Sequence, residues 1–101
     1  MPNFKLRPYA EADVEDAVSY YFARGPQLAF RMLAELEVAF DRIRENPQQF
    51  AFVEEPVRRV LLRRFPYSIY YVFEDEAVSI LGVIHLKQHP NTWKQRGGPA
   101  G

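Results

Sequence analysis

The chain has 101 residues, 13 basic against 13 acidic, 48% hydrophobic and 26% charged, with no cysteine. That length holds one domain, and the balance excludes a disordered or fibrous chain. The missing cysteine excludes disulfides and thiolate metal sites and suits a reducing cytoplasm.

The start, Met1-Pro2-Asn3-Phe4-Lys5, lacks the apolar run of a signal peptide, and no stretch reaches membrane-spanning length. A cytoplasmic protein without membrane contact is expected. Residues 3–7 read as a short strand ended by Pro8. The spacing of Val14, Ala17, Val18 and Tyr21 predicts a helix over about 10–23. Gly25-Pro26 ends it and starts the next, glycine giving a left-handed exit and proline a first helical turn. Leu28, Met32, Leu36, Ala39, Phe40 and Ile43 form the stripe of the second helix, which runs to about residue 45 before Asn46-Pro47. A short connection follows, tacked down by Phe50, Phe52 and Val53.

Three strands are predicted over about 57–65, 67–74 and 78–87, with Pro66 at a corner and residues 74–77 forming a hairpin turn. The fold class is α+β: an N-terminal helical hairpin packed on one face of a small twisted antiparallel sheet. One domain over 1–96 precedes a frayed tail, 97–101.

Strict alternation sends Val60, Leu62, Ile69, Tyr71, Phe73, Val78, Ile80, Ile84 and Leu86 toward the helices. Arg59, Leu61, Arg63, Ser68, Tyr70, Val83, His85 and Lys87 then share the other face, with no helix left to cover it. Charge is also uneven. Residues 10–55 hold ten acids against four arginines, and residues from 56 onward hold seven cations against three acids. A cationic and apolar sheet face of this kind suits a nucleic acid or an acidic partner as well as plain solvent.

Several phrases together carry a resemblance. They are Ala10-x-x-Asp13-Val14, Ala29-Phe30-x-x-Leu33-x-x-Leu36, Asn46-Pro47, Arg64-Phe65-Pro66-Tyr67-Ser68-Ile69-Tyr70-Tyr71, and Ile84-His85-x-Lys87 followed by Trp93. In order and spacing the chain resembles the RelE/ParE superfamily of small bacterial toxins over about residues 4–96. The resemblance implies a toxin of a type II toxin–antitoxin system, of the plasmid-stabilising kind, neutralised by a cognate antitoxin.

Two mechanisms compete within that superfamily. RelE-like members cut messenger RNA on the ribosome, using cations to stabilise the phosphorane that a 2′-hydroxyl attack creates. On that comparison Arg59 stands where such a toxin has a lysine and Lys87 where it has an arginine, with His85 available as a base. Leu61, Ser68 and Trp93 replace a second lysine, an arginine and a tyrosine, and an indole has no acidic hydroxyl to give. ParE-like members instead inhibit DNA gyrase, and the Phe65-Pro66-Tyr67 turn and basic, aromatic ending look closer to them. The chain therefore reads as a ParE-like binder rather than an endoribonuclease; a third reading is a non-toxic member that only binds antitoxin.

As a binder, its expected target or partner contacts are Arg59, Arg63, Tyr70, His85, Lys87, Trp93, Lys94 and Arg96. Tyr20 and Phe22, in a run of three aromatics, are expected antitoxin contacts. Changes at Trp93 and Lys94, beyond the last strand, are expected to spare the fold. His85 and His89 lack a third ligand, so no metal is expected, and without a glycine-rich phosphate loop no cofactor is expected either.

Overall fold

The computed structural model describes residues 2–88 and 92–96. The expected tail over 97–101 and the second histidine of the pair, His89, lie outside the described residues. The described elements are β1 (Asn3–Leu6), α1 (Pro8–Arg24), α2 (Pro26–Glu45), β2 (Phe52–Glu54), β3 (Val57–Leu61), β4 (Tyr67–Glu74), β5 (Ala77–His85) and a final 3-10 helix (Thr92–Arg96).

Pro8 starts α1 as well as ending β1. It lacks the N–H that a first helical residue leaves unpaired anyway, and it holds Arg7 in an extended conformation (φ −71°, ψ 161°). The Arg7 N–H donates to the Ile80 carbonyl at 3.0 Å, so β1 hands directly into the helix. Gly25 links the helices with φ 164°, extended rather than left-handed, correcting the expected exit. Its N–H caps α1 through the Tyr21 and Phe22 carbonyls, and its own carbonyl accepts from Leu28 at the start of α2.

The sheet order is β1-β5-β4-β3-β2. The helical hairpin on a small sheet stands as expected, and β1 makes that sheet mixed because it pairs parallel to β5 while all other pairs are antiparallel. The connection after α2 was expected to be tacked down by three apolar residues. Only Phe50 does so, packing edge-on to Tyr71, while Phe52 and Val53 belong to β2 and are exposed.

Two apolar clusters lie on opposite faces of the sheet. The larger joins Ala10, Ala17, Met32, Leu36 and Ile43 of the helices to Val60, Tyr67, Ile69, Tyr71, Val78, Ile80 and Val83. The smaller holds Val57, Tyr70, Val72, Leu81, Ile84 and Trp93. Val83 and Ile84 have thus exchanged the faces that alternation assigned them. The cause is a bulge: Tyr70 pairs with Gly82 but Tyr71 pairs with Ile80, leaving Leu81 as the extra residue. One inserted residue turns every later side chain of β5 over.

The β4–β5 hairpin turns through Asp75 (φ 53°) and Glu76 (φ 59°), both left-handed. Glu76 gains nothing from that conformation that glycine would not give at lower strain. Glu76→Gly is expected to raise stability by about 0.5 kcal/mol once the greater freedom of glycine in the unfolded chain is deducted. Thermal unfolding checks it, and a fall in Tm would contradict it.

Burial pushes two core phenols up to about 12, Tyr71 beneath Phe50 and Tyr67 beside Tyr21. The Tyr71 hydroxyl donates to the Pro47 carbonyl at 2.6 Å, tying the end of α2 to the sheet. Unfolded tyrosines ionise near 10.0, so between that value and about 12 unfolding releases protons and stability falls. Below 10.0 both groups are neutral in either state and contribute no pH dependence. A urea midpoint that drops on going from about pH 9 to about pH 11, and drops less in Tyr71→Phe, is the expected result.

Candidate partner-binding face

Sheet register places Arg59 of β3 directly across from Tyr70 of β4, on the face away from the helices. That face was expected to be bare. The 3-10 helix covers part of it instead, stacking the Trp93 indole on the Tyr70 ring at 6.3 Å with 28° between planes. Trp93 is 4% exposed and Tyr70 5%, so both are sheet packing, and neither presents itself as a free contact residue. The expectation that Trp93 can be removed without disturbing the fold is corrected by the same burial.

Two ion pairs hold this segment from either side. Lys94 pairs with Glu54 of β2 at 3.0 Å in the open, where such a contact contributes about 0–1 kcal/mol. Arg96 makes a two-pronged pair with Asp13 of α1, at 2.6 and 3.0 Å, with both side chains 15% exposed. Beyond the end of β1 the outer edge of β5 is open, and there Asp13 also accepts the Val83 N–H at 2.9 Å. Gly82 makes room for the guanidinium, since a Cβ there would lie 2.6 Å from Arg96 Nη1 and 3.1 Å from Asp13 Oδ2. Arg96, expected as a contact residue, is therefore committed to the fold, and its cation also sits 4.9 Å from the Tyr9 ring.

Between the 3-10 helix and β2 opens a cleft of about 380 Å³, lined by Phe52, Val53, Glu54, Arg59, Tyr70, Trp93 and Lys94. Arg59 is exposed on its wall and, among the described residues, has no ion-pair partner. The exposed side chains of Arg63 and Lys87 are unpaired in the same sense.

His85 does not join Arg59. It pairs across from Tyr67, its ring 5.0 Å from that of Tyr67 and thus on the helix side of the sheet. The bulge at Leu81 is responsible, and it overturns the expected grouping of His85 with Arg59. The Nδ1 atom of His85 accepts the Lys87 N–H at 3.0 Å, which leaves the proton of a neutral ring on Nε2.

Ser68 lies on the Arg59 side, 1% exposed, and its hydroxyl has no hydrogen-bond partner among the described residues. An unpaired buried hydroxyl costs about 1–3 kcal/mol, so Ser68→Ala is expected to leave stability unchanged or raise it. A measured loss above about 1 kcal/mol in urea unfolding would contradict that account.

On α1, Tyr20 and Phe22 are both half-exposed, and Arg24 lies over the Tyr20 ring at 3.4 Å. Two positions apart on a helix, they point about 200° apart and so do not form one patch. Further exposed apolar side chains lie on α2, at Phe30 (65% exposed) and Leu33. Leu33 borders a hollow of about 360 Å³ with Leu6, Val14, Leu36 and Phe40. Phe52, Val53 and Glu54 are the residues of the cleft that sequence reasoning missed, since a three-residue edge strand leaves no periodic signal. No group of three metal-ligating side chains occurs among the described residues, and no described helix is long and apolar enough to cross a membrane.

A family model described as the ParE toxin of the type II toxin–antitoxin system parDE matches residues 4–90. The chain is 34% identical over 82 residues to Toxin ParE2 of Mycobacterium tuberculosis, spanning 80% of this chain and 78% of that protein, in strains CDC 1551 / Oshkosh and H37Rv alike. Among solved structures, a chain of the chromosomal ParDE toxin–antitoxin system from P. aeruginosa superposes with a TM-score of 0.74 at 21% identity. The match covers 84% of this chain and 96% of that one and shows the shared fold. The chain belongs to the ParE toxin family of type II toxin–antitoxin systems.

Proposed function

We propose that this ParE-type toxin arrests growth in the cytoplasm by binding DNA gyrase, and that a cognate antitoxin neutralises it. The observation that carries the reading is the division made by the β5 bulge. Arg59 stands on one face of the sheet and His85 on the other. A nuclease of the RelE kind needs its base and its phosphorane-stabilising cations within reach of one phosphate. Here that reach is interrupted by the sheet, and the tyrosine position of such an enzyme is taken by buried Trp93. What remains is a binding surface: a cleft with an unpaired arginine, and exposed apolar residues on α2 and β2.

Expression in a bacterial host tests the reading. Growth arrest is expected, relieved by co-expressing the protein encoded beside the toxin, and primer extension on cellular messages is expected to show no codon-phased cuts. Cuts in phase with codons, weakened by Arg59→Ala or Lys87→Ala, would overturn it in favour of a ribosome-dependent endoribonuclease.

A further inference from the structure

Strands β3, β4 and β5 meet at one end of the sheet, where Leu61 pairs with Ser68 and Tyr67 with His85. The turns that leave there are pinned through their backbones. The Glu35 carboxylate of α2 accepts the Arg63 N–H and, at 3.1 Å, the Arg64 N–H. The Pro66 carbonyl accepts the Leu86 N–H at 2.8 Å, joining the two turns, and Nδ1 of His85 holds the Lys87 N–H. What this end offers a ligand is side-chain charge. Arg63, Arg64 and Lys87 are exposed, and Arg31 stands exposed one turn before Glu35. None of these four cations has an ion-pair partner among the described residues. Glu35 lies among them but spends its oxygens on amides.

The opposite end of the sheet has the opposite sign. Glu74, Asp75 and Glu76 lie at the β4–β5 turn, and Glu55 precedes β3 at that same end, all four exposed. A chain with formal net charge +0 thus carries its cations and anions apart along the strands. Such a separation turns the basic end toward a polyanion.

Two features favour a duplex backbone as that polyanion. The Arg63, Arg64, Leu86 and Lys87 amides are already bonded, so a peptide main chain finds no donor among them, whereas phosphates ask only for cations. Phe65 and Tyr67, the rings between these cations, are buried and give unpaired bases no platform to stack on. We infer that the basic end of the sheet binds the phosphates of a duplex DNA backbone, whatever its sequence, through Arg63, Arg64, Lys87 and Arg31. This contact goes beyond gyrase binding and does not depend on it.

The test uses the full chain and a short fluorescein-labelled DNA duplex of mixed sequence, read by anisotropy without gyrase. Binding at low salt is expected, with log K falling against log salt at a slope of about −3, as three to four phosphate contacts require. Arg63→Gln with Arg64→Gln is expected to weaken binding by about tenfold or more and to flatten the slope by about 2. Lys5→Gln, on β1 where it pairs with Ser79 away from this end, is expected to change neither. No duplex binding at low salt, a slope that the double variant leaves unchanged, or an equal loss in Lys5→Gln overturns the inference. So does displacement of the duplex by poly-glutamate as readily as by unlabelled DNA, which assigns this end to an acidic protein. Tighter binding of a single-stranded RNA assigns it to RNA and overturns the inference as well. A supercoiling assay keeps the two claims apart. If the chain blocks gyrase but ignores the duplex, this inference alone fails. If it binds the duplex with these slopes and leaves gyrase untouched, the gyrase reading alone fails.

Discussion

Trp93→Ala is expected to cost about 3–5 kcal/mol, a large share of the roughly 5–15 kcal/mol that holds a domain of this size together. The indole is the one large side chain that the 3-10 helix contributes to the second cluster, where it stacks on Tyr70 near Val57, Val72, Leu81 and Ile84. Its removal leaves a cavity and also loosens the segment that carries Lys94 and Arg96. Tm is expected to fall by about 15 °C or more, while Trp93→Phe recovers much of the loss. A shift of only a few degrees would mean that the second cluster contributes little. Activity lost in Trp93→Ala therefore reports folding, and Lys94→Ala, at an exposed pair, is the cleaner probe of contact.

The Asp13–Arg96 pair is expected to show the second largest effect, with an asymmetry that identifies its role. Asp13→Ala leaves Arg96 partly buried without its counter-charge and the Val83 N–H without an acceptor, a cost of about 3 kcal/mol. Arg96→Ala removes one partner but leaves Asp13 on the Val83 N–H, so its cost is expected to be smaller. In a double-mutant cycle the double variant should be less destabilised than the two single variants added together. Urea unfolding of the four proteins supplies the numbers. Strict additivity would show that the pair does not fasten the C-terminal segment to α1.

Much of the frame is legible from spacing. The stripe Met32, Leu36, Ala39, Ile43 marks α2 because these residues are buried in the cluster it shares with the sheet, and the charged turn 74–77 marks the β4–β5 hairpin. What escapes has no period. The bulge depends on one extra residue, and its only local sign is Gly82, a glycine inside an apolar strand. Strict alternation through Gly82 puts Val83, Ile84 and His85 on the faces opposite to those the bulge gives them. Asp13 and Arg96 lie 83 positions apart, and a contact at that separation leaves no mark on either neighbourhood. Trp93 shows the remaining difficulty. A lone aromatic after the last strand looks like contact surface until a face is found for it to cover.

A gyrase assay tests the proposed mode of action most directly. Purified chain titrated into a DNA supercoiling assay is predicted to block the reaction or to accumulate cleaved DNA held by gyrase, while a translation extract given the same protein stays active. Arg59→Ala, which leaves the buried clusters untouched, is predicted to weaken inhibition by about tenfold or more if the cleft beside Trp93 is the contact. Unimpaired supercoiling at excess protein, together with a translation extract whose messages are cut on the ribosome, would contradict the account.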